Sequence, residues 1–556
     1  MFTNRPVSVI AAVFLSATSL MAQAPAAGGS YEVALARYKE CQSRLPFRYH
    51  TDGRETLAQT RRGEALSLLI ADYSGANSYP EYSRYTIASL LGQFFSGKDS
   101  AAPLALLRKT ASKPVDTWLW VNTLRGQMQG GTSDDALAIV RDDKVVLHKA
   151  AALVALGQHK SDLLPQAISA VCLQFPTKDA DRHVLLAAIG GAIWDSRSKA
   201  NDVEFRKGLR SFAELLVPAT KLSDGAQLLM ARHLQWTLNA TAPFVDAASW
   251  LTLLDGGEIK KATNSGTTTA RPSFFGIESD GERICYLLDL SDSMCKQISP
   301  EVRPKGPVTG LPKKRPKGEL PDESDLPWNK IKTRFDLLRE QLRISLNRLP
   351  KEKFFSVVYF GDDAGTLDSS KGLVKASKGN VDRVMAELDA IVCGAPDAPK
   401  SPDGVLRGKT NLHAGLRHAF GLSNKGFVEE YAYVDPAALT EGCDTIFLLS
   451  DGAPSWDEFH MKDKDYGEGQ VVIDNEYNAP AAARTPMMEY QGPYVKDEWL
   501  IADVIRMNAF RRVRIHCIGI GEANTGLLKK LAAESHGVAF DVGKGAGLRK
   551  DPSGGK

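Results

Sequence analysis

Across residues 30–256 apolar side chains recur at three- and four-residue spacing in one segment after another. That period predicts helices over 64–73, 85–95, 101–110, 117–128, 144–156, 161–175, 182–194, 204–216, 224–238 and 245–254. The connections are short and polar, often with Pro, Gly or Asp, so the helices are expected to pair into hairpins of an all-α domain. After residue 273 the pattern changes. Short apolar runs suited to strands lie at 284–288, 354–360, 445–449, 513–520 and 538–542, with a short edge strand expected within 366–374. Helical spacing separates them at 333–349, 381–392, 412–420, 501–510 and 527–534; in the first of these Phe335, Leu338, Leu342, Leu346 and Leu349 mark one face. Strands alternating with helices imply an α/β doubly wound, mostly parallel sheet with right-handed crossovers. In the order 3-2-1-4-5-6, strands 1 and 4 are neighbours, and ligands bind outside their carboxyl ends.

Between the two patterns, residues 257–272 carry Gly, Lys, Ala, Thr, Asn and Ser with almost no large apolar side chain, which predicts a linker. The expected organisation is a helical domain at 30–256, an alternating domain at 273–545 whose first residues, 273–277, pack on its edge, and a disordered tail at 546–556. The first 26 residues read as a signal peptide. One Arg precedes an apolar run at 7–21, followed by Ala22-Gln23-Ala24 and Ala24-Pro25-Ala26, either of which suits a cleavage site. The run is shorter than the roughly 20 residues of a membrane span, so export to a periplasmic, envelope-associated or extracellular location is expected, with a short N-terminal anchor as the alternative. No other stretch is apolar and long enough to cross a bilayer.

A net charge of +3 on 556 residues gives no reason to expect nucleic acid or an anionic membrane as partner. Seven cysteines without a C-x-x-C pair exclude zinc-ribbon and thioredoxin chemistry. Cys285 and Cys517 fall inside strands as core residues, while Cys295 and Cys393 fall on loops near the candidate site, where a bridge between them is one option. His50, His148, His159, His183 and His233 are scattered with no metal-ligand spacing, and Trp118, Trp120 and Trp236 read as packing.

The candidate chemistry starts where the first strand ends. Asp289, Ser291 and Ser293 place a carboxylate and two hydroxyls at alternate positions after the apolar run 284–288. Hard oxygen donors at that spacing suit Mg2+, although a Ser/Asp-rich turn after a strand is also common. Asp451 follows the fourth strand in Ser450-Asp451-Gly452, so it is expected to meet Asp289 at one crevice. Thr410 offers another hydroxyl in a tight loop that opens a helix.

These pieces together resemble a von Willebrand factor type A (integrin I-like) domain with its metal-ion-dependent adhesion site. The motif D-x-S-x-S corresponds to Asp289, Ser291 and Ser293, the later Thr to Thr410, and the Asp of the (T/S)-D-G setting to Asp451. The resemblance covers about residues 273 to 545, and the preceding helices bear a weaker likeness to HEAT or armadillo repeats, with an irregular bundle as the alternative. It implies that Ser291 and Ser293 ligate Mg2+ directly, Thr410 directly or through water, and Asp289 and Asp451 mostly through water, with Mn2+ or Ca2+ as alternative ions. It also implies a non-enzymatic binding or adhesion protein that captures an Asp or Glu of a partner protein. Asp292 departs from the pattern, since Gly is frequent there: it either adds a carboxylate near the ion or points to solvent.

Two insertions leave this frame. Residues 295–329, rich in Pro and Lys, read as a mobile surface loop. Residues 455–496 leave the sheet beside Asp451 and carry Trp456, Phe459, Tyr466, Tyr477, Tyr490 and Tyr494. Those aromatics are either partner contacts or the loop's own packing, and Asp457 or Glu458 is placed to occupy the ion's open position. Catalysis is not expected. Asp289-Leu290-Ser291 lacks the second Asp of D-x-D phosphotransferases, G-x-S-x-G and P-loop motifs are absent, and His413 and His418 have no nucleophile beside them. A metal-dependent hydrolase, and a helical scaffold whose metal domain is a structural spacer, are the competing readings.

Overall fold

A computed structural model describes residues 30–42, 47–75, 82–94, 98–131, 133–257, 273–302, 320–361, 363–391, 410–455, 471–473, 486–488, 494 and 496–542. The export segment, most of the linker, Cys393, the C-terminal tail and most of the 455–496 insertion, including Asp457 and Glu458, lie outside those residues.

The N-terminal half is helical. Ser223 and Asp246 cap two of its later helices, accepting from the backbone N–H groups of Ala226 and Ser249. Val146–Gln158, Asp179–Asp195 and Asp224–Leu238 lie side by side. Glycines set how closely they approach. A Cβ on Gly157 would come within 2.4 Å of Ala192 Cα, and one on Gly190 within 2.2 Å of the His233 ring. Trp118 and Trp120 are buried in this core, as packing requires. Among the described residues no helix is long and apolar enough to cross a membrane.

The C-terminal half is built on a mixed sheet. Its strands are β1 (Arg283–Asp289), β2 (Phe354–Phe360), β3 (Ala364–Thr366), β4 (Thr445–Ser450), β5 (Arg514–Ile520) and β6 (Ala539–Val542), in the spatial order β6-β5-β4-β1-β2-β3. All pairs are parallel except β2–β3; the two-residue strand Val374–Lys375 also pairs antiparallel with β2. The edge segment expected within 366–374 is therefore two short antiparallel pieces. The longer helices of this half are α1 (Arg334–Arg348), α2 (Lys378–Asp389), α3 (Leu412–Gly421), α4 (Asp497–Met507) and α5 (Thr525–Glu534), with a short helix at Pro436–Glu441.

The two-residue period of β1 distributes its side chains to both faces. Ile284, Tyr286 and Leu288 join Phe447, Leu449 and Ile518 in a core with α1 and α2. Cys285 and Leu287 join Ile446, Leu448 and Cys517 in a core with α3, α4 and α5. Phe274 of the lead-in segment inserts into the first core, its ring 5.4 Å from Tyr286 and 5.8 Å from Phe447. It lies on a sheet face rather than at the edge, because an aromatic side chain stabilises more when fully covered. The insertion expected to be a surface loop also contributes to this core: Leu326 and Trp328 are only 4% and 6% exposed. Its Pro- and Lys-rich run lies outside the described residues.

The two halves share buried surface. Ala509, Phe510 and Leu439 belong to the same apolar core as the N-terminal helices. Arg506 of α4 lies over Tyr85, 3.7 Å from the ring centroid, and 5.0 Å from that of Tyr433. Tyr433 donates its hydroxyl to Pro114 O at 2.9 Å. Ion pairs Arg232–Asp444, Arg512–Asp195 and Lys496–Asp52 also cross between the halves.

Candidate cation site at the strand ends

Parallel pairing of Leu288 with Leu449 brings the carboxyl ends of β1 and β4 level, so Asp289 and the Ser450-Asp451 turn meet. Asp289 is fully buried. Its Oδ1 accepts from the Ser291 backbone N–H at 3.0 Å and from the Ser291 hydroxyl at 2.6 Å. Its Oδ2 accepts from the Ser450 hydroxyl at 2.7 Å. The Ser291 and Ser293 hydroxyl oxygens are 3.1 Å apart, and Ser293 donates to Asp451 Oδ1 at 2.6 Å. Four of the five sequence-predicted residues thus form two hydrogen-bonded pairs, Ser291–Asp289 and Ser293–Asp451, whose hydroxyl oxygens meet side by side.

Thr410, the fifth, stands at the opening of α3. Asn411 caps that helix by accepting from the Ala414 N–H. Thr410 is tied to the β4 loop from both sides: its N–H donates to Ser455 Oγ and its carbonyl accepts from the Ser455 N–H, each at 3.1 Å. A Cβ on Gly452 would lie 3.5 Å from Thr410 Oγ1, which puts the Thr410 hydroxyl beside the Ser450-Asp451-Gly452 turn. All five residues are therefore at one place. Asp292 is exposed, which matches the solvent-facing alternative.

Two further residues act at the site: Ser450, present in the motif only as the neighbour of Asp451, and Arg334, which carries no mark in the spacing. Ser450 holds Asp289 Oδ2, and Arg334, the first residue of α1, donates from Nη1 to Asp451 Oδ2 at 2.7 Å. The Arg334 side chain is 8% exposed and that of Asp451 is fully buried. The capping box of Thr333 and Asp336 fixes where α1 begins and so delivers Arg334 to the strand ends. The partners are 117 residues apart, and an Arg at a helix start otherwise reads as a solvated charge.

Burial first, and then the charge of Asp451, push the Asp289 carboxyl up to about 6, despite its three hydroxyl and amide donors. Asp451 has the Arg334 guanidinium against it, so the carboxylate whose charge this buried crevice disfavours is Asp289, which has no cationic partner among the described residues. Among the described residues no three His, Cys, Asp or Glu side chains cluster in a metal-ligating group. The donor set here is instead two carboxylates and three hydroxyls, which suits a small hard cation better than a soft one.

Behind the site lies a buried polar cluster. His413 Nε2 is 2.9 Å from Asp503 Oδ2, and Arg506 Nε donates to Asp503 Oδ1 at 2.7 Å. Burial alone would raise the Asp503 carboxyl, but Arg506 and His413 hold it well below the usual range. Tyr494 stacks on His413 at 3.7 Å between ring centroids. This aromatic of the second insertion is only 1% exposed and so packs inward rather than facing a partner. His413 is engaged here, and His418 stacks on Phe427.

No family profile and no curated protein matches the chain. Thirteen chains of known structure do. One, titled von Willebrand factor type A from Catenulispora acidiphila, is 13% identical with a TM-score of 0.25 and covers 50% of this chain and 41% of that chain. This chain thus spans less than half the length of that protein, and so slight a likeness adds nothing to the strand pairing described above.

Proposed function

We propose that residues 273–545 form a doubly wound von Willebrand A-type domain whose strand-end crevice takes a divalent cation, Mg2+ by preference. Ser291 and Ser293 would hold it directly, Thr410 directly or through water, and Asp289 and Asp451 as the charged groups behind. Support comes mainly from the buried Asp289 and Asp451 carboxylates, interlocked with the Ser291 and Ser293 hydroxyls. Arg334 balances only one of the two negative charges, so the pair is a poor structural element by itself and a good seat for a cation. Neutral hydroxyls leave a bound cation short of negative charge, so its chemistry is to accept a carboxylate from outside. Asp289, Ser450 and Arg334 fix the donors' orientation, as groups behind a metal site do.

The biological role we infer is capture of an Asp or Glu side chain on a partner protein by an exported, non-enzymatic binding protein. The helical half serves as its platform, since the two halves share one buried core. Isothermal titration of Mg2+ and Mn2+ into the chelator-treated full chain tests the reading. Saturable binding that is lost in Ser291→Ala and Asp289→Asn supports it; the same binding in both variants overturns it.

A further inference from the structure

Resting on the cation-site reading, we infer that Arg334 is an affinity- and specificity-determining residue of that site. It acts as a fixed internal positive charge that weakens cation uptake and leaves the loaded site positive toward an anionic guest. The guanidinium is bonded to Asp451 Oδ2, whereas Oδ1 of the same carboxylate accepts from Ser293. One oxygen therefore faces the hydroxyl cluster while the other is neutralised from behind. The two bonds involve different atoms, so the arginine does not have to leave when the cluster takes an ion.

The side chain has a prepared seat. Gly521, which follows β5 with φ +64°, lies against the guanidinium, and a Cβ there would come within 2.5 Å of Arg334 Cζ. The Arg334 N–H also donates to Lys296 O, tying the helix start to the loop after Ser293. Other charges nearby are exposed: Lys296 pairs with Glu522 at 3.1 Å, and Asp292 faces solvent, where screening weakens it.

The charge balance gives the consequence. Two carboxylates and one guanidinium give the crevice one net negative charge from its own side chains. A divalent cation then makes it net positive by one, where a site without Arg334 would be neutral. A residual positive charge in a buried crevice draws a carboxylate and opposes a neutral guest. The same charge repels the cation. Even with a dielectric as high as that of bulk water, about 80, and a separation of roughly 6 Å, that repulsion weakens uptake by about tenfold, and by more in a buried crevice.

The test uses the full chain, Mn2+ as probe, and acetate as a small carboxylate. Mn2+ affinity is measured by electron paramagnetic resonance, and acetate capture by the fall in water-proton relaxation as Mn2+-bound water is displaced. Arg334→Gln is expected to bind Mn2+ about tenfold or more tightly than wild type and to need several-fold more acetate. Arg334→Lys is expected to stay close to wild type. Gly521→Ala, which displaces the guanidinium without removing it, is expected to move in the direction of Arg334→Gln and serves if that variant does not fold. Unchanged or weaker Mn2+ binding in both Arg334→Gln and Gly521→Ala overturns the role of Arg334. A wild-type chain that takes up no Mn2+ overturns the cation-site reading itself.

Discussion

Replacing Asp289 by Asn should make the metal-free protein more stable at neutral pH, although Asp289 is fully buried and hydrogen-bonded on both oxygens. An ordinary aspartate has a pKa of 3.8, and Asp289 in the fold is pushed up to about 6. Between those values the native state holds more protons than the unfolded chain, so stability falls as pH rises through that window and stays reduced above it. The gap of roughly two units corresponds to about 3 kcal/mol. Asn removes this charge penalty and keeps an acceptor for the Ser291 N–H and hydroxyl. Its amide replaces the oxygen that accepts from Ser450 and, weakly at 3.4 Å, from the Asp451 N–H. That loss costs on the order of 1 kcal/mol. The net expectation is a gain of about 1–2 kcal/mol at pH 7.5 in chelator, shrinking to nothing or a small loss at pH 4. Urea denaturation followed by circular dichroism, at both pH values and with EDTA present, measures it. A variant destabilised equally at pH 4 and pH 7.5 would refute the charge argument.

Three other outcomes follow from the same structure. Because Asp289 has to ionise to serve a cation, Mn2+ affinity should fall as pH drops below about 6, approaching tenfold per unit, in titrations at stepped pH; a flat profile from pH 7 to pH 5 contradicts this. Arg506→Met strands the buried Asp503 carboxylate, so a loss of about 3–5 kcal/mol is expected in the same denaturation assay. Asp503 is held low in the fold, so its contribution is present above about pH 4 and disappears on further acidification; the penalty of Arg506→Met should shrink there. Gly157→Ala drives a Cβ to 2.4 Å from the Ala192 backbone, and a loss of about 1–3 kcal/mol in thermal unfolding is expected.

Strand positions were legible because a buried strand is a short apolar run, and β2 has the bounds read from sequence, Phe354–Phe360. The candidate residues were legible as types and order: a Ser/Asp-rich turn after one strand is common, but the ordered set of Asp289, Ser291, Ser293, Thr410 and Asp451 at and between two neighbouring strand ends is not. Helices whose stability comes from neighbours were not. Phe47–Gln59 reads FRYHTDGRETLAQ, largely polar with a central glycine. Yet Gly53 lies so close to Cys41 that a Cβ would come within 2.7 Å of the Cys41 Cβ, so packing defines that helix. The first turn of α4 was missed because Asp497 and Glu498 look like loop, although acids suit a helix N-terminus. Arg334 and the Asp503–Arg506 pair escaped for a related reason: a charge reads as solvated until tertiary structure shows its partner and its burial.

The measurement that bears most directly on the central claim is anomalous scattering at the manganese edge from crystals of the full chain soaked in Mn2+. The expected result is one peak in the crevice, about 2.0–2.3 Å from Ser291 Oγ and Ser293 Oγ, with Arg334 still bonded to Asp451. A map with no peak there, and with the Ser293–Asp451 hydrogen bond intact at saturating Mn2+, would contradict it.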